Sequence, residues 1–241
     1  MKQIKKINYL FICMLFGLMT VMPGYAQDAT ESAPAVTEAH MGVGAMIEKA
    51  VLGILAICAL LVVVILIEKF MFWMKTNGNS KKLSTILTPV IEGGDIEQLT
   101  SACKDSDAPL AKVITPILTI GQPLRPDQSL LLLRNNVHEA ADGQKKFLSI
   151  LATLAGTAPF IGLFGTVMGI LETFSAIGDS GFSNPAAISA GISSALVATA
   201  AGLAVAIPAV MFYNYYVRKA NQSLDHAERK ATEILILFGR M

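Results

Sequence analysis

Three long stretches without charged side chains constrain this sequence more than any other feature. They run from Ala50 to Ile67, within Phe147 to Leu171, and within Ile192 to Val217. A helix needs about 20 mostly apolar residues to cross the hydrocarbon core of a bilayer, and each stretch meets this requirement with its apolar flanks. Charged residues make up only 15% of the chain, which is typical of membrane proteins rather than soluble ones. The sequence therefore predicts an all-α membrane protein with three transmembrane helices.

The first 26 residues form a separate segment with the features of a secretory signal peptide. Three lysines among the first six residues precede a short apolar run, and Gly24 and Ala26 place small residues before a cleavage site. We predict cleavage before Gln27. The alternative is an uncleaved membrane helix, and in either case the segment does not enter the fold prediction.

The distribution of lysine and arginine predicts the orientation in the membrane. Ten basic residues lie between the first and second stretches, and five follow the third. On the opposite side Lys49 stands alone, because the turn between the second and third stretches carries none. Cytoplasmic segments of membrane proteins are enriched in these residues. The asymmetry predicts a multi-pass inner-membrane protein with a periplasmic N-terminus and a cytoplasmic C-terminus.

These observations divide the chain into eight segments. They are a signal peptide (1–26), a periplasmic tail (27–45), the first transmembrane helix (46–74), a cytoplasmic helical region (75–146), the second transmembrane helix (147–177), a periplasmic turn (178–190), the third transmembrane helix (191–217) and a cytoplasmic C-terminal helix (218–241). The last segment is expected to continue the third helix. Prolines should break the cytoplasmic region into short helices, because each removes a backbone hydrogen bond: Pro89, Pro109, Pro116, Pro123 and Pro126.

Small residues recur at helical spacing in the second and third stretches. Gly162, Gly165 and Gly169 are three and four residues apart, and Gly202 continues the pattern in the third stretch. In lipid, apolar burial does not drive helices to associate. Association depends on close packing instead, and such faces let helix backbones approach closely. Packing within one chain is one interpretation, but three helices need less small surface than this. We therefore predict that these glycines pack subunits of a homo-oligomeric bundle.

Hydroxyl side chains and prolines lie inside the same two stretches. Thr166, Ser194 and Thr199 are polar groups at membrane depth, and each could simply bond to a carbonyl of its own helix. Pro159 and Pro208 each remove a backbone hydrogen bond and predict a helix bend. The centre of each span lacks ionisable residues, so a proton relay would need an ionisable group from another subunit.

The residue pattern argues against catalysis and cofactor binding. His40, His138 and His226 lie outside the predicted spans, so neither a hydrolytic site nor an HExxH zinc site is formed there. The three cysteines show no CxxC or Cys/His spacing. The single Asn-Pro-Ala tripeptide in the turn is not a water-channel signature, because that fold needs two. We expect no enzyme activity, metal, cofactor or nucleic-acid partner.

Two blocks of residues in the second and third predicted spans resemble the ExbB/TolQ family. The first block is Thr157-Ala-Pro-Phe-Ile-Gly-Leu-Phe-Gly-Thr-Val-Met-Gly-Ile, and the second contains Gly191-Ile, Ala195-Leu-Val-Ala-Thr-Ala-Ala-Gly-Leu and Ala206-Ile-Pro-Ala. The resemblance covers Val43 to Met241, and a more distant one is to the flagellar stator subunit MotA.

The resemblance implies an architecture, partners and a function. It implies a pentamer in membrane lipid that encloses two transmembrane helices of an ExbD-like partner. This complex would use the proton-motive force to drive a TonB-like energy transducer and so energise outer-membrane transport. Thr166 and Thr199 match threonines that line the family's ion pathway, to which Ser194 would add a third hydroxyl. Family members often carry glutamate in place of Ser194. A TolQ-like role in cell-envelope maintenance and a non-conducting membrane scaffold are the alternatives.

Overall fold

The computed structural model describes residues 43–93, 96–104, 106–120, 125–180 and 185–237, and these residues form six helices without a strand. The helices are α1 (Val43–Gly93), α2 (Ile96–Lys104), α3 (Pro109–Leu118), α4 (Pro126–Lys145), α5 (Leu148–Ser180) and α6 (Pro185–Leu237). The all-α prediction is confirmed for these residues. The predicted signal peptide (1–26) and the predicted periplasmic tail up to residue 42 lie outside them.

Three helices in the described part of the chain are long and apolar enough to cross a membrane. The qualifying segments are Met46–Thr85 in α1, Leu148–Gly178 in α5 and Pro185–Leu237 in α6. Their number agrees with the three spans predicted from the sequence. Since a bilayer core needs only about 20 helical residues, the 53 residues of α6 continue well beyond one membrane thickness.

The connection between α5 and α6 is shorter than the turn predicted over 178–190. α5 continues to Ser180, and α6 already begins at Pro185. Proline suits the first turn of a helix, because the N–H group that it lacks would have no partner within the helix there. Ala186 and Ala187 follow Pro185, and alanine has the highest helix propensity of any residue type. The Gly, Ser and Asn content of this segment led the prediction to place too many residues in the turn.

The prolines between α1 and α5 act in two ways. Pro109 and Pro126 lie in the first turn of α3 and α4, where they are compatible with the helix. The breaks predicted at Pro89 and Pro116 are wrong, because α1 continues through the first and α3 contains the second. A proline inside a helix removes one hydrogen bond, and the buried apolar residues of α3 help to hold that helix together. Pro123 lies outside the described residues.

The chain divides into two compact units. In the first unit, the described residues are the start of α1 up to Ala59, α5 from Leu154, and α6 up to Pro208. The second unit contains the rest of α1, helices α2 to α4, the start of α5 and the end of α6.

In the first unit, α5 has an exposed apolar side and a side of small residues. Six large apolar side chains are each more than half exposed: Phe160, Leu163, Phe164, Val167, Leu171 and Phe174. Ala158 of α5 and Ala195 and Ala198 of α6 are instead fully buried. Exposed apolar surface of this extent is typical of a membrane-embedded or subunit-contacting face.

The second unit is built around an apolar core to which the end of α6 contributes. Leu224, Ala227, Ala231 and Ile234 are buried at intervals of three and four residues, which is the spacing of an amphipathic helix. They join Leu83 of α1 and buried residues of the short helices, among them Leu99, Cys103, Val113, Ile114, Ile117 and Leu133. This shared core explains why α6 remains helical to Leu237.

Candidate functional site

In the first unit, α5 and α6 cross at backbone contact. A Cβ atom on Gly162 would lie 2.7 Å from the carbonyl oxygen of Ala198, and one on Gly202 would lie 2.6 Å from that of Ala158. The two glycines also face each other, because a Cβ on Gly202 would be 3.1 Å from the Cα of Gly162. Since the obstructing atoms belong to the backbone, no side chain can rotate to make room. Only glycine fits at these two positions.

Gly165 and Gly169 continue this contact along α5. A Cβ on Gly165 would lie 2.7 Å from the Cβ of Ala198 and 2.9 Å from Cγ1 of Val51. A Cβ on Gly169 would lie 2.8 Å from the Cβ of Ala195. The predicted helix-packing glycines therefore pack helices within one chain, whereas the sequence predicts contacts between subunits. The reason is that α6 and Val51 of α1 already fill the space beside these glycines.

Thr166 of α5 and Thr199 of α6 lie in hydrogen-bond contact. Thr166 Oγ1 donates to the carbonyl of Leu163 at 2.7 Å, and Thr199 Oγ1 donates to Thr166 Oγ1 at 3.3 Å. A hydroxyl has one hydrogen, so Thr166 can only accept from its partner once that hydrogen is used. Thr166 is 6% exposed, whereas Thr199 is half-buried. Thr199 is therefore the member of the pair that another molecule can reach.

Ser194 of α6 binds a carboxylate from α1 rather than the threonine pair. Its Oγ donates to Oε1 of Glu48 at 2.6 Å, and the other carboxylate oxygen lies 3.6 Å from the Cβ position of Gly169. Ser194 is exposed and Glu48 is half-buried. Five residues separate Ser194 from Thr199, which is roughly 7.5 Å along a helix axis. The three hydroxyls predicted for the ion pathway thus lie at two levels of the unit.

The remaining polar and proline positions have local explanations. Thr173 Oγ1 donates to the carbonyl of Gly169 at 2.9 Å, which is the bond to its own helix that threonine in membranes commonly makes. Pro159 and Pro208 both lie inside helices that continue on either side of them. Pro159 follows Ala158, whose carbonyl lies against Gly202.

The predicted first span, 46–74, also contains ionisable residues for which the sequence pattern predicted no site. Glu48 is one of them. Another is Lys69 of the second unit, which is only 1% exposed. Its Nζ donates to the carbonyl of Gln144 at 3.2 Å and lies 3.6 Å from the carboxylate of Glu68. Ionisable residues within a span point to functional sites by default, so their occurrence in this span was the available signal.

Comparisons with known proteins match the part of the chain that contains the hydroxyls. A sequence model of the MotA/TolQ/ExbB proton channel family matches residues 106–229. The biopolymer transport protein ExbB of Aquifex aeolicus (strain VF5) is 52% identical over 79 residues, which cover 33% of this chain and 53% of that protein. ExbB of Neisseria gonorrhoeae is 41% identical over 125 residues, covering 46% and 57% respectively.

ExbB of Pseudomonas putida is 43% identical over 91 residues, which cover 38% of this chain and 28% of the relative. This chain therefore spans about half the length of two of these relatives and less than a third of the other. The family match includes Thr166, Ser194 and Thr199 and begins after Glu48.

Proposed function

Because the chain belongs to the MotA/TolQ/ExbB proton channel family, we propose that it is an ExbB-like channel-forming subunit of a motor driven by the proton-motive force. In this proposal it lies in the inner membrane and acts with an ExbD-like single-span protein and a TonB-like energy transducer. Together they energise transport across the outer membrane. The protein has no enzymatic role in this proposal.

The observation that carries this proposal is the contact between Thr166 and Thr199. It joins two spans of the first unit through hydroxyls, in a region where glycine and alanine occupy the neighbouring positions. A hydroxyl can both donate to a carboxylate and accept from a carboxylic acid, so it suits either protonation state of a partner's side chain. Thr199, the more accessible of the two, would make that contact, and Thr166 would hold its orientation. While its hydrogen is donated to Thr166, Thr199 can accept from a partner's carboxylic acid, and it must release Thr166 to donate to a carboxylate.

The same proposal includes a homopentamer. Gly162, Gly165 and Gly169 of α5 are occupied within the chain, so contacts between subunits must use other surface. The exposed apolar side of α5, with Phe160 and Phe164 at more than half exposure, is available for this purpose or for lipid. The charge asymmetry would place the N-terminus in the periplasm and the C-terminus in the cytoplasm.

Thr199→Val tests the role of the threonine pair, because it keeps the side-chain shape and deletes the hydroxyl. We expect proton flux into liposomes that contain the native complex to fall at least tenfold. Assembly should persist, since hydrogen bonds between membrane helices contribute only about 0.6 kcal/mol on average. Flux is measured with an internal pH-sensitive dye, and assembly by native mass spectrometry.

Thr166→Val should reduce the flux less, because Thr166 lies behind Thr199. Thr157→Val is the control, since Thr157 is exposed elsewhere on α5 and should tolerate the change. Full flux in both pathway variants would show that the two hydroxyls are structural. A wild-type complex that conducts no protons would instead favour the non-conducting scaffold.

A further inference from the structure

The carboxylate of Glu48 lies close to both other helices of the first unit. Ser194 of α6 donates a hydrogen bond to Oε1 at 2.6 Å, and Oε2 lies 3.6 Å from the Cβ position of Gly169 on α5. These two residues are 146 and 121 positions away in sequence, so the fold brings this carboxylate to them. Glu48 is half-buried, and Ser194 is exposed.

Few other ionisable groups face Glu48 within this unit. Between Leu154 and Gly178, α5 contributes Glu172 alone, whose charge interacts unfavourably with that of Glu48. From Pro185 to Pro208, α6 contributes none. On α1 itself, up to Ala59, there are the adjacent Lys49 and, more than two helical turns away, Cys58. Among the side chains of this unit that the structure describes, Glu48 is the carboxylate held by a hydrogen bond between helices.

We propose that Glu48 is a proton-binding residue of the ion pathway and that Ser194 positions its carboxylate. The inference rests on the proposed function, since it assigns a further residue to the same proton transfer. Glu48 lies at the end of the first unit that the charge asymmetry predicts to face the periplasm. Along α6, Ser194 precedes Thr199 by roughly 7.5 Å, a distance that one or two water molecules can bridge.

The transfer consists of two balanced steps. A hydronium ion gives its proton to the carboxylate of Glu48, which leaves a water molecule and the neutral carboxylic acid. The acid then gives the proton to a water molecule beside Thr199, which becomes hydronium and restores the carboxylate. Ser194 donates to the charged form and can accept from the neutral acid, so its hydroxyl keeps the side chain in place in both steps.

Glu48→Gln separates proton binding from helix packing. Glutamine has the same shape and keeps an oxygen that accepts from Ser194, but it does not titrate. We expect proton flux through the native complex in liposomes to fall at least tenfold while the oligomer remains intact by native mass spectrometry. Glu48→Asp, which keeps a carboxylate, should restore part of the flux. Glu172→Gln is the matched control and should retain at least half of it.

A spectroscopic measurement distinguishes binding of a proton from a structural role. Infrared difference spectra recorded between acidic and neutral pH should show the carbonyl stretch of a protonated carboxylic acid that Glu48→Gln removes and Glu172→Gln leaves. Ser194→Ala should keep that band but shift the pH midpoint of the flux. Wild-type flux together with an unchanged band in Glu48→Gln would overturn the inference and leave the proposed function standing. Absence of flux in the wild type would count against the proposed function itself.

Discussion

At the residue scale, the crossing of α5 and α6 depends on atoms that cannot move aside. The Cβ position of Gly202 is 2.6 Å from a backbone carbonyl oxygen, that of Ala158, whereas the Cβ position of Gly156 has nothing within 4 Å. Both glycines lie in helices of the same unit. They therefore give a matched pair in which one substitution is obstructed and the other is free.

Gly202→Ala should destabilise the protein by about 1–3 kcal/mol, the usual cost of forcing extra volume into a well-packed contact. Gly156→Ala should be neutral or slightly stabilising, because alanine favours helix over glycine. Thermal unfolding of the purified protein in detergent micelles measures both. Equal midpoints for the two variants would mean that α5 and α6 do not cross as closely as described.

Cys103 offers a second residue-scale prediction, since burial raises the pKa of its thiol from 9.0 to about 11. The thiolate fraction at a given pH is then about a hundredfold lower than for an ordinary cysteine, and the thiolate is the reactive form. In a protein with Cys13 and Cys58 replaced by alanine, maleimide should label Cys103 at least a hundredfold more slowly at pH 8 than a cysteine at exposed position 101. The matched control carries Ser101→Cys with Cys103→Ala.

The sign of the pH effect on stability follows from the same shift. The unfolded chain loses the thiol proton near pH 9, whereas the folded chain keeps it until about pH 11. Folding therefore becomes less favourable as the pH rises through this window, and at neutral pH the shift has no effect. Rapid labelling of Cys103 at pH 8 would show that the core of the second unit opens readily.

At the element scale, the last part of α6 has a buried face that single substitutions can test. Leu235 is 0% exposed in the core of the second unit, and its neighbour Ile236 is 60% exposed. Leu235→Ala should lower the free energy of unfolding by about 2–5 kcal/mol, because it removes buried volume. Ile236→Ala should change it by less than about 0.5 kcal/mol. Protease protection of the end of α6, measured against temperature, reports both effects.

The sequence predicted the helices well, but it did not predict which helix or subunit each helix face contacts. The length of the uncharged apolar stretches identified three spans, and the spacing of small residues identified the face around Gly165. That spacing could not say whether the face meets the same chain or another, because both contacts require the same spacing. The bond between Ser194 and Glu48 joins residues 146 positions apart, and neither local pattern nor composition pairs such distant residues.

At the scale of the whole molecule, orientation in the membrane is the property that the sequence predicts and one experiment can decide. Fifteen basic residues lie on the predicted cytoplasmic side of the spans and Lys49 alone on the other. A reporter enzyme that is active only in the periplasm should therefore stay silent when it is fused after Met241. The same reporter fused after Asp179, in the predicted periplasmic turn, is the positive control. Activity at both positions would contradict the topology.

The facing glycines of α5 and α6 have a consequence for genetics. Each of Gly162 and Gly202 is obstructed by backbone atoms of the other helix, and each is already the smallest residue available. A mutation at one position therefore cannot be rescued by a smaller residue at the other. Suppressors of such a mutation should arise away from this pair, at positions that let one helix shift along its neighbour. In a screen for revertants, changes at the pair itself should therefore only restore glycine. Compensating changes should occur at other positions.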